Sequence, residues 1–524
     1  MSKCIIDGKE IEFDAGESVI AAAKRNDIEI PYYCWHSKLS VAANCRMCLV
    51  EVEKAPKLLP ACQTTCQDGM VVNTENARVK DAQRAVHEFL LINHPIDCPI
   101  CDQAGECKLQ DYYMDYHQTP SRMIDKKVNK PRLEELGPHV MYNAERCIMC
   151  TLCVRFMEEV PEESQLGIFN RGDHAVIGTV PGQTLDNDYS LNTVDICPVG
   201  ALTSRVFRFK QRAWNLSRSE SICGGCARGC NTHVDHRGNQ VYRILPRSND
   251  AVNECWMCDD GRLTYQRANE NNLNFPRIQD NGKSVNVGAD VALDKVVELL
   301  GPARAGGVLG AALSLHATIE EAYAFGLLVR DTFGVNRVTL LGFEQWSGDE
   351  VLKVDDRNPN RQGISMVLRS LGLDIEDAKA LFERIDKHEV KAMLCVGHEC
   401  DGYEALSTAL EQVEVLVHLG AAESVFSEQA DVVLPKQSWL QTEGTWLNHF
   451  NRLQRLRPAL ASDGGTRGAL SWFADIASAL DNRFAWDNLE SLRIELESNT
   501  EALKNIKLGQ IDDQGLEISS REML

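Results

Sequence analysis

The chain has 524 residues, 44% hydrophobic and 25% charged, with a formal net charge of −21 at pH 7. That length allows three or four domains with a sizeable core, and the acidic balance argues against nucleic acid or anionic lipid as a direct partner. No apolar run is long enough to span a bilayer. The opening Met-Ser-Lys-Cys-Ile-Ile-Asp-Gly lacks the continuous apolar core of a signal peptide. A reducing compartment is therefore expected, disulfides are not, and the twenty cysteines need another explanation. Eighteen of them lie between Cys4 and Cys258, and only Cys395 and Cys400 follow.

In residues 1–80, Asp7-Gly8 between short apolar runs predicts a hairpin, and Ser18–Lys24 predicts a helix upon it. Cys34-x10-Cys45-x2-Cys48-x13-Cys62 follows. A hairpin, a helix and a cysteine loop suit an α+β domain of β-grasp type. The plant-type ferredoxin run is Cys-x4-Cys-x2-Cys with a remote fourth cysteine; here the first gap is longer. Thiolates at this spacing suit iron–sulfur iron or zinc, and Cys66 rivals Cys62 as the fourth ligand.

Residues 77–92 carry Val79, Ala82, Val86, Phe89 and Leu90 at helical spacing. This amphipathic helix delivers the chain into His94-x3-Cys98-x2-Cys101-x5-Cys107. Pro95 and Pro99 forbid a regular helix there, and Gly105 lets the loop bend back. A lone histidine is usually packed or hydrogen-bonded. His94, however, stands four residues before a three-thiol loop that lacks a fourth ligand, and imidazole is an accepted ligand of iron–sulfur iron. No cysteine count requires His87 or His117.

Residues 111–140, with Pro120, Pro131 and Pro138, read as a connecting loop. Cys147-x2-Cys150-x2-Cys153 then opens a bacterial ferredoxin run, which Cys197-Pro198 completes after a 43-residue insertion. Cys223-x2-Cys226-x3-Cys230-x27-Cys258 is the last group. Four thiolates there serve a [4Fe–4S] centre or tetrahedral zinc alike, and Cys255 could substitute for Cys258. Beyond about residue 285, strands are expected at 308–312, 338–341, 390–397 and 413–418, with helices between. One of these helices is capped by Thr318 with Glu321 and ended by Gly334. That alternation predicts a doubly wound parallel sheet. No GxGxxG or Walker sequence sits at a strand-to-helix turn, so no nucleotide site is assigned. Cys395 and Cys400 read as buried small residues.

Taken together, C-W-H-S-K-L-S-V-A-A-N-C-R-M-C-L-V-E-V, H-P-I-D-C-P-I-C-D-Q-A-G-E-C-K-L-Q-D, R-C-I-M-C-T-L-C-V-R-F and D-I-C-P-V-G-A-L-T resemble the large iron–sulfur subunit of respiratory complex I, the NADH:quinone oxidoreductase. The resemblance is dense over residues 1–265. It implies a [2Fe–2S] centre on Cys34, Cys45, Cys48 and Cys62, and a [4Fe–4S] centre on His94, Cys98, Cys101 and Cys107. It implies a second [4Fe–4S] centre on Cys147, Cys150, Cys153 and Cys197, and a third on Cys223, Cys226, Cys230 and Cys258, a centre that only some members keep.

The implied domains are a [2Fe–2S] β-grasp domain at 1–80, the His/Cys segment at 81–120 and a ferredoxin-like segment at 121–215. A third [4Fe–4S] domain follows at 216–275. The second half resembles a molybdopterin-oxidoreductase-like α/β domain, shortened, at 276–495, through A-D-V-V-L-P and E-G-T-W-L-N. A charged tail is expected at 496–524. No residue is assignable as a molybdenum ligand, so no molybdopterin is expected.

The resemblance implies a hetero-oligomeric electron-transfer subunit with no substrate site of its own. Its partners would be a flavin/NADH-binding subunit and a [4Fe–4S] quinone-side subunit. It would be peripheral on the cytoplasmic side of a bacterial inner membrane, touching the membrane only through partners. Rival readings are the diaphorase arm of a soluble NAD-linked hydrogenase or formate dehydrogenase, an active molybdenum oxidoreductase, and a zinc-stapled interaction protein.

Overall fold

A computed structural model describes residues 2–116, 120–305, 308–400 and 403–519; His117 lies outside them. The chain divides into two compact units, residues 1–216 and 217–524. Among the described residues, no helix is long and apolar enough to cross a membrane.

The first unit opens with the expected hairpin, β1 (Ser2–Ile6) and β2 (Lys9–Phe13). Both turn residues are left-handed, Asp7 at φ 48° and Gly8 at φ 81°, which matches the twist of the strands. Helix α1 (Val19–Arg25) buries Val19, Ile20, Ala22 and Ala23. After β3 (Leu49–Val52) and β4 (Leu59–Pro60), β5 (Val71–Asn73) returns parallel to β1, and the five strands lie in the order β2-β1-β5-β3-β4. The cysteine loop spans 34–48, between helix and sheet.

Helix α2 (Ala77–Leu91) is capped by Asn76, whose side chain accepts from the Val79 amide. Its inward face differs from expectation: Val79, Gln83 and His87 are buried, while Phe89 is 73% exposed. The loop after α2 turns the chain back, so the stripe that packs is set by α3 (Lys108–Tyr116), where the Leu109 carbonyl lies 3.2 Å from His87 Nε2. Part of the expected 111–140 loop is thus helical. Strands β6 (Glu134–Glu135) and β7 (Val140–Tyr142), helix α4 (Leu152–Glu159), strands β8 (Leu166–Phe169) and β9 (Val176–Thr179), the short α5 (Asn192–Asp195) and β10 (Leu202–Ser204) complete the unit.

The second unit starts with an antiparallel sheet of β11 (Ser217–Ile222), β12 (Asn231–Arg237) and β13 (Gln240–Pro246), followed by α6 (Asp259–Ala268). Next come β14 (Arg277–Asp280), β15 (Lys283–Asn286), α7 (Ala289–Leu300), β16 (Leu309–Ser314), α8 (Ile319–Leu327), β17 (Arg337–Leu341), α9 (Arg361–Ser370) and β18 (Asp374–Glu376). Then follow α10 (Ala378–Asp386), β19 (Ala392–Val396), α11 (Tyr403–Leu410), β20 (Val415–Gly420), α12 (Val425–Gln429) and β21 (Val432–Pro435).

All four expected strands are present. They belong to a sheet ordered β15-β14-β21-β20-β19-β16-β17-β18, parallel from β21 to β18 with β14 and β15 antiparallel at one edge. Alternation along β19 divides the core: Leu394 and Val396 join the cluster under α7, α8 and α13 (Ala469–Ala479), while Met393 and Cys395 join the one under α10 and α11. The capping box of Thr318 and Glu321 forms as expected. Strands β22 (Gly444–Leu447), β23 (Arg452–Leu456) and β24 (Leu516–Glu517) make a small sheet.

The stretch from Glu497, expected as a tail, packs instead. Helix α14 (Leu489–Asn499) continues into turns that bury Leu503 and Leu508, and β24 pairs with β23. Its few apolar residues are spaced to reach one groove, which its high overall charge hides. On α14, Arg493 donates to Glu320 at 2.9 Å, both side chains buried.

Candidate metal centres

In the N-terminal loop, the backbone is left-handed at Ala43 (φ 48°) and Arg46 (φ 60°), on either side of Cys45. The four thiols form two hydrogen-bonded pairs. Cys45 donates to Cys34, whose thiol is thereby drawn down to about 6, and Cys48 donates to Cys62, drawn down for the same reason. Cys34 and Cys45 in turn act electrostatically on Cys62, so the four share one pocket. Cys66, the rival, is hydrogen-bonded to Cys4 and pushed up to about 12 by burial. It belongs to the core of the β1–α1 layer.

Cys98 starts a single helical turn with Pro99 in its second position, Cys101 ends it, and Cys107 directly precedes α3. Burial pushes the Cys107 thiol up to about 11, and Cys101 and Cys98 act on it as neighbours. Burial and the nearby Arg146 and Lys127 cations pull His94 down to about 4, so its imidazole is neutral at physiological pH. Its Nδ1 is buried without a hydrogen-bond partner. Arg146 also acts on Cys101 and donates to Asp97 at 3.1 Å, tying the histidine's surroundings to the thiols.

The backbone is left-handed at Met149 (φ 54°) and Thr151 (φ 63°), between Cys147, Cys150 and Cys153, and the Met149 amide donates to Cys147 Sγ at 3.4 Å. Cys197 arrives from beyond α5. All four act on one another, and burial pushes Cys197 up to about 12. In the second unit, the β11–β12 connection carries Cys223, Cys226 and Cys230. Cys258 caps α6, its sulfur accepting from the Gly261 amide at 3.4 Å. Cys230 feels Cys223, Cys226 and Cys258 as neighbours.

These residues fit polynuclear iron–sulfur groups. The thiols that burial raises, Cys107 and Cys197 among them, need a bound cation to become thiolates. The backbone also leaves room only for sulfur: a Cβ on Gly200 would lie 2.3 Å from Cys101 Sγ, and one on Gly261 would lie 2.9 Å from Cys223 Sγ. Among the described residues, no three His, Cys, Asp or Glu side chains converge tightly enough for a single ion.

Several residues that serve the site carried no signal of their own in the sequence. Arg155 on α4 donates to the Cys34 carbonyl at 2.6 Å, and Asn44 donates to the Met149 carbonyl at 3.1 Å. The Lys108 amide donates to the Pro198 carbonyl at 3.1 Å, and Arg212 donates to the Cys101 carbonyl at 2.6 Å. Buried Tyr33 lies near both Cys45 and Cys107 and packs edge-on to Tyr112.

Four family models match in chain order. They are a 2Fe-2S iron-sulfur cluster binding domain (residues 3–77), an NADH-ubiquinone oxidoreductase-G iron-sulfur binding region (83–122), the ferredoxin-like domain of NADH-quinone oxidoreductase subunit 3 (137–203) and an NDSU1/NuoG-like 4Fe-4S domain (216–266). With the thiol sets above, they define a multi-centre iron–sulfur electron-transfer protein holding [2Fe–2S]- and [4Fe–4S]-type domains. The G subunit of NADH-quinone oxidoreductase from Rickettsia felis is 30% identical over 622 aligned residues, covering 97% of this chain and 92% of that protein. The mitochondrial 78 kDa subunit of NADH-ubiquinone oxidoreductase from Neurospora crassa is 44% identical over 294 residues, 56% of this chain and 39% of that protein. A crystal structure of an NAD+-reducing [NiFe]-hydrogenase in the H2-reduced state is 27% identical, covers 40% of this chain and 90% of that chain, and has a TM-score of 0.37. The chain belongs to the G-subunit family of NADH-quinone oxidoreductases and acts in electron transfer as part of a multisubunit oxidoreductase.

Proposed function

We propose that this chain relays electrons from a flavin/NADH-binding subunit towards a [4Fe–4S] quinone-side subunit in a proton-pumping complex on the cytoplasmic face of a bacterial inner membrane. The ligand sets are Cys34/Cys45/Cys48/Cys62, His94/Cys98/Cys101/Cys107, Cys147/Cys150/Cys153/Cys197 and Cys223/Cys226/Cys230/Cys258. Bound there, iron–sulfur clusters supply one-electron redox chemistry, with the Cys34, Cys147 and His94 sets in that order.

The observation that carries this reading is the direct stitching of those three sets within one compact unit. Arg155 and Asn44 hold the Cys34 loop against the Cys147 loop. Lys108 and Gly200 hold the Cys197 turn against the Cys101–Cys107 loop. Each contact sets a spacing, and most of the thiols in these sets are buried or half-buried, Cys98 alone being exposed. We further propose that the parallel sheet of the second unit is a shortened molybdopterin-oxidoreductase-like scaffold. The 622-residue alignment to the Rickettsia relative exceeds the 524 residues of this chain, which supports the shortening.

Metal analysis of anaerobically purified protein tests the assignment: one [2Fe–2S] and three [4Fe–4S] centres amount to roughly 14 irons per chain. Roughly 10 irons with one zinc would move the Cys223 set to a structural zinc site. A colourless protein with no paramagnetism after dithionite, or stoichiometric molybdenum, would overturn the reading. Copurification decides the partners: membrane subunits fit the proposal, and a hydrogenase or formate dehydrogenase does not.

A further inference from the structure

Tyr33 precedes Cys34 in the chain and is only 1% exposed, and its hydroxyl oxygen is buried without a hydrogen-bond partner among the described residues. A phenylalanine would supply the same ring without that oxygen. A buried polar group left unpaired costs stability, so this one points to a partner that binds beside it. The tyrosine packed against it differs: the Tyr112 hydroxyl accepts from the Tyr32 amide at 3.2 Å.

The place of the Tyr33 ring is set by α3. It packs edge-on to Tyr112 of that helix, with centroids 5.2 Å apart and planes at 65°, and α3 begins directly after Cys107. In the first turn of α3, the Gln110 and Leu109 amides donate to the Cys107 sulfur. Burial holds the Tyr33 phenol protonated, and Tyr112, Cys107 and Cys45 add to this in that order. The hydroxyl is therefore a donor, and of the two thiols it feels Cys107 more strongly. Cys107 belongs to the His94 set and Cys45 to the Cys34 set, so a single ring lies near both.

We propose, on the ligand sets assigned above, that the Tyr33 hydroxyl donates a hydrogen bond to sulfur on the Cys107 side of the His94 set and so tunes the centre held there. Hydrogen bonds to sulfur are a lever on cluster potential. A donor disperses the negative charge that reduction adds, which favours the reduced state and raises the potential. Tyr33 joins the Gln110 and Leu109 amides in this role. Together they make the His94 centre easier to reduce, which favours the passage of an electron towards it from the Cys34 side. Tyr33 is a positioning residue: it neither ligates metal nor carries the electron.

The test is a redox titration of the anaerobically purified full chain, followed by low-temperature EPR, in Tyr33→Phe. That change removes one oxygen and keeps the ring. The expected result is full iron content, a lower midpoint potential for the His94 centre and an unmoved midpoint for the [2Fe–2S] centre. Tyr112→Phe is the control, because its hydroxyl is engaged by the Tyr32 amide, and it should leave the His94 midpoint in place. Should Tyr33→Phe lose iron, ortho-fluorotyrosine in place of Tyr33 keeps both ring and hydroxyl. Its more acidic hydroxyl donates more strongly and must shift the same midpoint upward. An unmoved His94 midpoint in iron-replete Tyr33→Phe, or with the fluorinated residue, overturns the proposal. So does an equal shift in Tyr112→Phe, which would assign the effect to packing, and so does a shift confined to the [2Fe–2S] centre, which would place the donor at Cys45. A wild-type chain without the His94-set signal would instead overturn the ligand assignment itself.

Discussion

Arg155 Nη2 donates to the carbonyl oxygen of Cys34 at 2.6 Å, and the same guanidinium reaches the Ser40 carbonyl. The helix that carries Cys153 is thereby locked to the loop that carries the first thiol of the N-terminal set. Hydrogen bonds from a charged donor are worth about 1.5–3 kcal/mol each. Arg155→Ala is expected to lower the urea midpoint of the first unit and slow electron exchange between the two sets, while the [2Fe–2S] EPR signal persists. Arg155→Lys should recover only part of the loss, because an ammonium cannot bridge two carbonyls as a planar fork does. An unchanged urea midpoint and exchange rate in Arg155→Ala would refute the coupling.

His94 presents a neutral imidazole with a buried, unpartnered Nδ1. His94→Ala should remove or alter one [4Fe–4S] signal in low-temperature EPR and spare the [2Fe–2S] signal. His94→Cys should retain a cluster at lower potential, since thiolate donates more charge than imidazole. An unaltered His94→Ala spectrum would mean the imidazole is not a ligand.

Gly200 lies against Cys101, where a Cβ would meet Sγ at 2.3 Å and Gln103 Cβ at 3.0 Å. Gly200→Ala must therefore displace the Cys98–Cys107 loop or the turn after Cys197. The expected result is loss of about four irons, one [4Fe–4S] cluster's worth, with the [2Fe–2S] signal intact. Full iron content with unshifted spectra would show that the turn gives way without cost.

His418 on β20 is wholly buried and stacked on Phe426 with ring centroids 5.3 Å apart. Burial pulls it down to about 3, aided by the nearby His398. The unfolded imidazole, near 6.5, binds protons over a range where the folded one does not. Stability is therefore intact above about pH 6.5 and falls as pH drops towards 3, by about 2–3 kcal/mol at pH 4.5 from this residue alone. His418→Phe should flatten that part of the pH dependence of urea unfolding. An equal acid loss in the variant would assign the effect to other groups.

Cysteine spacing named the candidate ligands in the sequence, because a polynuclear cage is wrapped by short loops whose ligands must be close in the chain. Cys147, Cys150 and Cys153 were legible for that reason, and so was the alternation of strands and helices that builds the second unit. Tertiary packing decided what spacing leaves open. Cys66 is drawn to Cys4 by the β1–α1 core, α2 turns Phe89 outward to meet α3, and the charged C-terminal stretch finds a groove through Leu503 and Leu508. The clamps by Arg155, Lys108 and Gly200 join residues far apart in the chain. Local pattern records which residues can bond to metal or to one another nearby; only the folded chain determines which distant ones meet.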